Sequence, residues 1–305
     1  MSSLSDILDI VRDKSNFIDL HAYLDFAYQS LEYIENNHSQ LIEANNREGY
    51  YFYKFGSEAP NQITRPFNAN VLYSSDQFKK NKTKFYKVLT CIKKQREKSS
   101  KINQAGREHI VRMIYTVQQA IGFALDGLPS RETNTARKLN GDYFELLMLI
   151  LFNYIGVPVR NGVIKVPIIV DGQVSFYVQY QHDFINEESN QEINLIGSVK
   201  TTSKDRVDKI FIDKFLYSKL TGTNTPHIAI FLHDVQRKSY KNAPDKFGIS
   251  PTFLTGKFKG YTLKLNPLDG VYYFDLNDNM LSDPILSEQI KTFDKLICDD
   301  IWQYT

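Results

Sequence analysis

Asp183 closes an apolar run, Tyr180-Gln181-His182-Asp183, and the next run, Ile196-Gly197-Ser198-Val199-Lys200, ends in Ser-x-Lys. A further acid, Asp213, follows on a segment with helical spacing. Two carboxylates and an ammonium gathered at the end of a small sheet can hold a divalent metal beside a phosphodiester and prepare a water to attack it. In that arrangement Asp183, at a strand tip, binds Mg²⁺ with several waters retained. Lys200 orients or deprotonates the attacking water and neutralises the phosphate. Ser198 and Lys200 are two apart and share one face of a strand while Val199 points into the core. Asp213 lies two helical turns after Arg206, on a face able to look back at Lys200. Each residue also has an ordinary reading. A strand-end Asp forms turns, Lys200 alone suits a solvent-facing strand position, Asp213 can pair with Lys209 four residues earlier, and Glu145 can be an exposed helix glutamate. The order acid, strand, Ser-x-Lys, basic loop, helix acid is what joins them.

The elements that must position these groups are legible from hydrophobic period. Leu4, Ile7, Leu8 and Val11, then Leu20, Tyr23, Leu24, Ala27, Leu31 and Ile34, recur at helical spacing. Between about 47 and 75 the pattern weakens into loops with a short strand. Strong helices are predicted over about Arg107–Leu125 and Thr135–Tyr154, the second carrying Asp142 and Glu145. The period then changes. Ile164–Val170, Val174–Gln181 and Ile193–Lys200 read as strands, with Asp171-Gly172 a type I′ hairpin turn between the first two. A helix from about Arg206 to Leu220, a buried strand over His227–Leu232, later strands at Tyr261–Leu265 and Val271–Phe274, and a closing helix over Ile285–Leu296 complete the chain. The fold class is α/β, a mixed sheet flanked by helices behind a mostly helical N-terminal part. The division expected is 1–130, a helical region for dimer and DNA-backbone contacts, and 131–305, a catalytic core.

Composition narrows the class. The 305 residues are 42% hydrophobic and 24% charged, which suits a soluble globular chain with a sizeable core. No apolar run approaches the roughly 18 residues of a membrane span, and no secretory signal opens the chain. Cys91 and Cys298, with no metal spacing, read as buried free thiols in a cytoplasmic protein. Net charge is only +2, yet residues 79–101 hold ten Lys or Arg against Glu97, a local +9 that leaves −7 for the rest. Interleaved with Phe85 and Tyr86, that stretch can neutralise phosphates or simply be a solvated helix face. The phosphate loop GxxxxGK, the zinc motif HExxH and GxGxxG after a strand are all absent.

Asp183 … Ser198-Val199-Lys200 … Asp213 resembles the rearranged active site of type II restriction endonucleases of the PD-(D/E)xK fold, in the subgroup that cuts sites with CCGG or CCNGG cores. There the second acid of (D/E)xK has moved to the next helix and Ser fills its place. By this resemblance Asp213, where the family usually has Glu, is the migrated acid. Glu145, on Asn140-Gly141-Asp142-Tyr143-Phe144-Glu145, is the helix acid that supports the metal site. The implied metal ligands are Asp183, Asp213 and Glu145, with Ser198 and Lys200 completing the catalytic set. Lys204-Asp205-Arg206 is similar to the subgroup's basic-acid-basic reader of C:G pairs. Arg or Lys donates to guanine O6 and N7, while Asp accepts from cytosine N4. Its compressed form matches the CCNGG readers, which can flip central nucleotides out of the stack. The resemblance covers about 135–275 and includes Phe231–Arg237 and Thr252-Phe253-Leu254. It implies a Mg²⁺-dependent homodimeric enzyme acting on palindromic double-stranded DNA and leaving 5′ overhangs, with a cognate methyltransferase protecting host DNA. The alternatives are a CCGG-core enzyme, a structure-specific or repair nuclease, and a DNA-binding protein without cleavage.

Overall fold

A capping box of Ser3 and Asp6 starts the first helix, α1 (Leu4–Arg12), by satisfying amides that the helix itself leaves unpaired. The computed structural model describes residues 2–95, 102–187, 192–204 and 206–304. Asp19 caps α2 (Leu20–Asn37), which runs directly into β1 (His38–Glu43). A small antiparallel sheet follows with β2 (Tyr50–Phe55) and β3 (Phe67–Asn68). The weak pattern over 47–75 therefore hides two strands, whose aromatic residues obscure the alternation. Next come α3 (Ser75–Gln95), α4 (Gln104–Asp126) and α5 (Thr133–Ile155). From Met113 to Leu125 every residue of α4 is buried, so it is the axis around which the N-terminal helices pack. Gly156, at φ 91°, stops α5 with a left-handed turn.

The second sheet is built from β4 (Arg160–Val170), β5 (Gln173–Glu187) and β6 (Ile193–Thr202). After α6 (Val207–Thr221) it continues with β7 (His227–His233). Asp171 and Gly172 both take positive φ, 51° and 79°, as the hairpin turn between β4 and β5 requires. The two-stranded ribbon β8 (Val235–Tyr240) and β9 (Ala243–Pro251) leads into α7 (Thr255–Lys264). Then come β10 (Gly270–Tyr273), α8 (Asp278–Ser282), α9 (Pro284–Gln289), β11 (Ile290–Thr292) and α10 (Phe293–Cys298). Spatial order is β11-β10-β7-β6-β5-β4. The first four strands are parallel, β5 runs antiparallel to them, and β4, antiparallel to β5, points the same way as the first four. This is the mixed sheet expected, with β7 buried at every residue in its middle.

Several expectations change. Tyr261–Leu265 is not a strand, because Tyr261 belongs to α7 and lies against Phe211 of α6, ring centroids 5.5 Å apart. Gly256 and Gly260 weaken the local helix signal, and packing on α6 overrides it. The closing helix is interrupted at Ile290–Thr292, which adds a parallel strand beside β10. Cys298 is buried as expected, whereas Cys91 is exposed.

One core cluster extends from Leu4 to Ile301 and includes residues on both sides of position 130. The two sheets are joined by a buried polar knot. Tyr50 of β2 donates to Asp275 at 2.8 Å, and the Asn68 amide of β3 donates to its other oxygen at 2.8 Å. Burial pushes the Asp275 carboxyl up to about 6, against those two donors.

Candidate active site and cleft

Asp183 does not end its strand. β5 continues to Glu187, and Asp183 sits where the β4–β5 register skips: Gly162 faces His182 but Arg160 faces Ile185. That is a bulge, one residue on β4, Asn161, opposite two on β5, Asp183 and Phe184. Its effect is visible on either side. His182 meets Tyr217 of α6 edge-on, and Phe184, of the same parity, packs instead on Phe152 of α5. The bulge re-aims the intervening carboxylate. Asp183 Oδ2 accepts the Val199 amide at 2.7 Å and the Lys200 ammonium at 2.5 Å.

Gly197 makes this close approach possible. A Cβ there would stand 1.9 Å from the Phe184 ring, so no other residue lets Phe184 reach Phe152.

Glu145 comes from α5, whose apolar side (Tyr143, Phe144, Leu147, Met148, Leu151) is buried. Its Oε1 accepts Lys200 Nζ at 2.8 Å. One ammonium is thus gripped by carboxylates from a strand and a helix. Burial opposes the charge of Lys200, but Asp183 and Glu145 outweigh it and hold its pKa above the ordinary lysine range. An amine so held stays protonated at neutral pH, which leaves it charge stabilisation and water orientation but not proton abstraction. Burial, and next the Asp183 charge, raise the Glu145 carboxyl, although Lys200 pulls the other way.

Asp213 of α6 stands outside this contact set. Among the described residues its ion pair is with Lys209, at 3.8 Å, and not with Lys200. Burial raises its pKa, and the Asp183 charge adds to that rise, so the two acids sense one another. Ser198 is half-buried on β6, opposite Ala229 of β7, with Val199 buried as alternation requires.

Among the described residues no three His, Cys, Asp or Glu side chains stand close enough to hold a metal. The donors nevertheless suit a small hard cation. Asp183 and Glu145 offer carboxylate oxygens to one point, and Mg²⁺ is commonly bound through one or two carboxylates with waters and phosphate oxygens around it.

Glu145 and Lys200 line a cleft of about 1040 Å³. Its walls carry Arg65, Arg137, Lys138, Lys204, Arg206 and Arg237 besides Lys200, against Asp126, Asp142 and Glu145. Arg65 is held by Asp126 through two side-chain bonds, 2.9 and 2.8 Å. Lys204 donates to Gln236 of β8 at 3.2 Å, and Arg206 is the residue before α6. Asp205, between them, lies outside the described residues. Sequence reasoning missed Arg65, Arg137, Lys138, Gln236 and Arg237. Lys138 had a usable signal, being seven residues before Glu145 and so on the same helix face, and Gln236 and Arg237 lie in the Phe231–Arg237 segment that carries the resemblance. The basic stretch 79–101 contributes none of its described residues to the cleft. Its Phe85 is buried, its Lys82 pairs with Asp25, and its residues 96–101 lie outside those described.

No known family model matches the sequence, and no curated protein matches it. The chain is similar to a solved structure described as the type IIP restriction endonuclease Kpn2I, with a TM-score of 0.67 at 16% identity. That likeness covers 99% of this chain and 97% of the other, so the fold is that of a restriction endonuclease. A structure described as restriction endonuclease PspGI with substrate DNA gives a TM-score of 0.45 at 13% identity, over 72% of this chain and 92% of that one.

Proposed function

We propose that this chain is a type II restriction endonuclease that hydrolyses phosphodiesters of double-stranded DNA at a palindromic site. The observation that carries the reading is the convergence of Asp183 and Glu145 on Lys200, which with Glu145 lines a basic cleft. An ammonium between two acids has little structural purpose on a half-open surface, and it matches the charge demands of phosphoryl transfer. Asp183 and Glu145 would hold Mg²⁺, with Asp213 contributing through the field it shares with Asp183. The ion, when bound, supplies Lewis acidity and a more acidic water. Lys200 places a fixed positive charge beside the scissile phosphate. Ser198 occupies the position vacated by the migrated acid.

Recognition is assigned to Lys204, Asp205 and Arg206. The cleft residues Arg137, Lys138 and Arg237 provide charge for the backbone. The compressed basic-acid-basic order supports a CCNGG-type core, with central nucleotides flipped and 5′ overhangs left. A palindrome presents two equivalent scissile bonds, which a homodimer meets with one site on each strand. Such an enzyme works in the cytoplasm beside a methyltransferase that marks host DNA. The described residues include no helix long and apolar enough to cross a membrane. The residues up to 130 would support the dimer and DNA-backbone contacts, and those from 131 to 305 would carry catalysis. Digestion of plasmid DNA with Mg²⁺, followed by sequencing of the fragment ends, tests the proposal. Discrete fragments with a constant overhang uphold it. A smear favours a structure-specific nuclease, and intact plasmid favours a binding protein.

A further inference from the structure

β5 pairs with β6 only from Phe184 to Glu187, whereas its pairing with β4 extends to the turn at Asp171-Gly172. Ten residues of β5 precede Asp183, so at about 3.3 Å per residue the ribbon reaches roughly 33 Å beyond the acid. Because β5 is antiparallel to β6, it projects past the same end of the sheet as Lys204 and Arg206.

The near part of this arm is covered. Ile164, Val166, Val178 and Tyr180 pack with Tyr217 of α6. Toward the tip the cover runs out. Phe176, paired with Ile168 on the same face, is 56% exposed, and Tyr177 on the opposite face is 55% exposed. Ile169 and Val174 form a further exposed pair, and Val170, in the last pair before the turn, is exposed as well. On α6, Phe211 faces α7 through Phe258, ring centroids 5.4 Å apart, and Tyr217 meets the arm. Ile212, Leu216 and Leu220, spaced by four, run along the outer flank, and all three are exposed. Half-exposed side chains of these sizes leave on the order of 600 Å² of apolar surface, at the limit of what a monomer tolerates.

We infer that this surface, the arm together with the outer flank of α6, is where a second copy of the chain binds, in addition to the dimer contacts proposed for the residues up to 130. The inference rests on the nuclease reading for its choice of partner, since that reading puts the second copy beyond the reader-loop end of the sheet. Charge decides against DNA as the occupant. From Gly162 to His182 the arm has one cation, Lys165, and one acid, Asp171, so it has no net charge with which to neutralise phosphates. Area agrees with a dimer, because a stable interface buries about 800 Å² on each partner. The partner covers faces rather than extending the sheet. Lys165 and Pro167 guard the free edge of β4, where a charge and a missing amide discourage strand addition. In an isologous pair each arm lies against the α6 flank of the other chain.

Sedimentation equilibrium of the full chain, without DNA or divalent cation, tests this. The wild type should show twice the 35.4 kDa chain mass at micromolar concentration. Phe176→Asp with Tyr177→Ser, and separately Leu216→Asp, should weaken self-association at least 100-fold and give the single-chain mass. Circular dichroism should be unchanged, since all three residues are exposed. A wild type of single-chain mass, or variants that keep the double mass, would overturn the inference. Protection of the arm from proteolysis by DNA in a monomeric protein would hand the surface to DNA instead. A dimer that loses its mass on these substitutions yet cuts nothing would defeat the nuclease reading and leave this one standing.

Discussion

The Val199 amide donates to Asp183 Oδ2, at 2.7 Å, and the same oxygen takes the Lys200 ammonium. At this point β5 parts from β6, and a side-chain carboxylate takes over the ladder bond that a backbone carbonyl would have accepted. The acid is therefore fixed by the sheet itself, and Lys200 is fixed by the acid. Pre-organisation of this kind is what makes a charge effective in a transition state.

Lys200→Ala should reduce cleavage by at least ~10²–10³-fold, the usual scale for losing a transition-state charge, while leaving specific DNA binding nearly intact. Single-turnover cleavage beside a gel-shift titration separates the two. Joint loss of both, with a lowered melting temperature, would indicate that freeing Asp183 and Glu145 from their shared cation has disturbed the fold.

The two outer acids should behave differently. Glu145 touches Lys200, so Glu145→Gln should lower activity at every Mg²⁺ concentration. Asp213 acts on Asp183 through space, so Asp213→Asn should weaken activity several-fold at low Mg²⁺ and recover at high Mg²⁺. Full activity of the Asn variant at low Mg²⁺ would remove Asp213 from the metal site.

Replacing Arg206 by Ala should cost about 1–3 kcal/mol of discrimination at one C:G pair, measured as the ratio of affinities for the cognate site and a single-base variant. An equal loss on all sequences would make Arg206 a phosphate contact.

Stability should fall as the protein is acidified below the ordinary histidine range. Burial holds His109 at about 4, with Lys84 adding to the effect, and His227 and His233 at about 3. These folded-state values lie below the unfolded value near 6.5. The unfolded chain therefore binds more protons between pH 6.5 and 4, and their contribution, complete above pH 6.5, is lost as pH falls through that window. Each group contributes up to about 1.4 kcal/mol per pH unit. Asp275, raised by burial to about 6, and Asp234, Glu145 and Asp213, also raised by burial, work in the opposite sense, while His182, held at about 4 by burial, adds to the histidine side. Melting temperature across pH 7 to 4 should decline steadily. A flat profile would mean that these rings are not neutral inside the native protein.

The strands β4 to β7 and the helices α5 and α6 were legible because their apolar period is clean and their turns are explicit. Asp171-Gly172 and Gly222 fall where the chain turns. The pairing of Asp183 with Lys200 was legible from residue type and order. The bulge at Asp183 was not, because a skipped register is a property of two strands and leaves no mark in one. Nor were the cleft arginines. Arg65 and Arg237 come from different segments, and only the fold makes them neighbours. Lys209 pairs with Asp213 as the i, i+4 rule anticipated. α7 was misread because its glycines and aromatics mimic a strand until α6 supplies the surface that selects a helix.

Asp275 ties the catalytic sheet to residues 50 and 68 through a sealed carboxylate. Removing the first part of the chain would strip that carboxylate of both donors and of part of its cover. A fragment cut near position 130 would thus inherit a torn core. The N-terminal segment supplies both the donors and the cover that let Asp275 sit inside the protein.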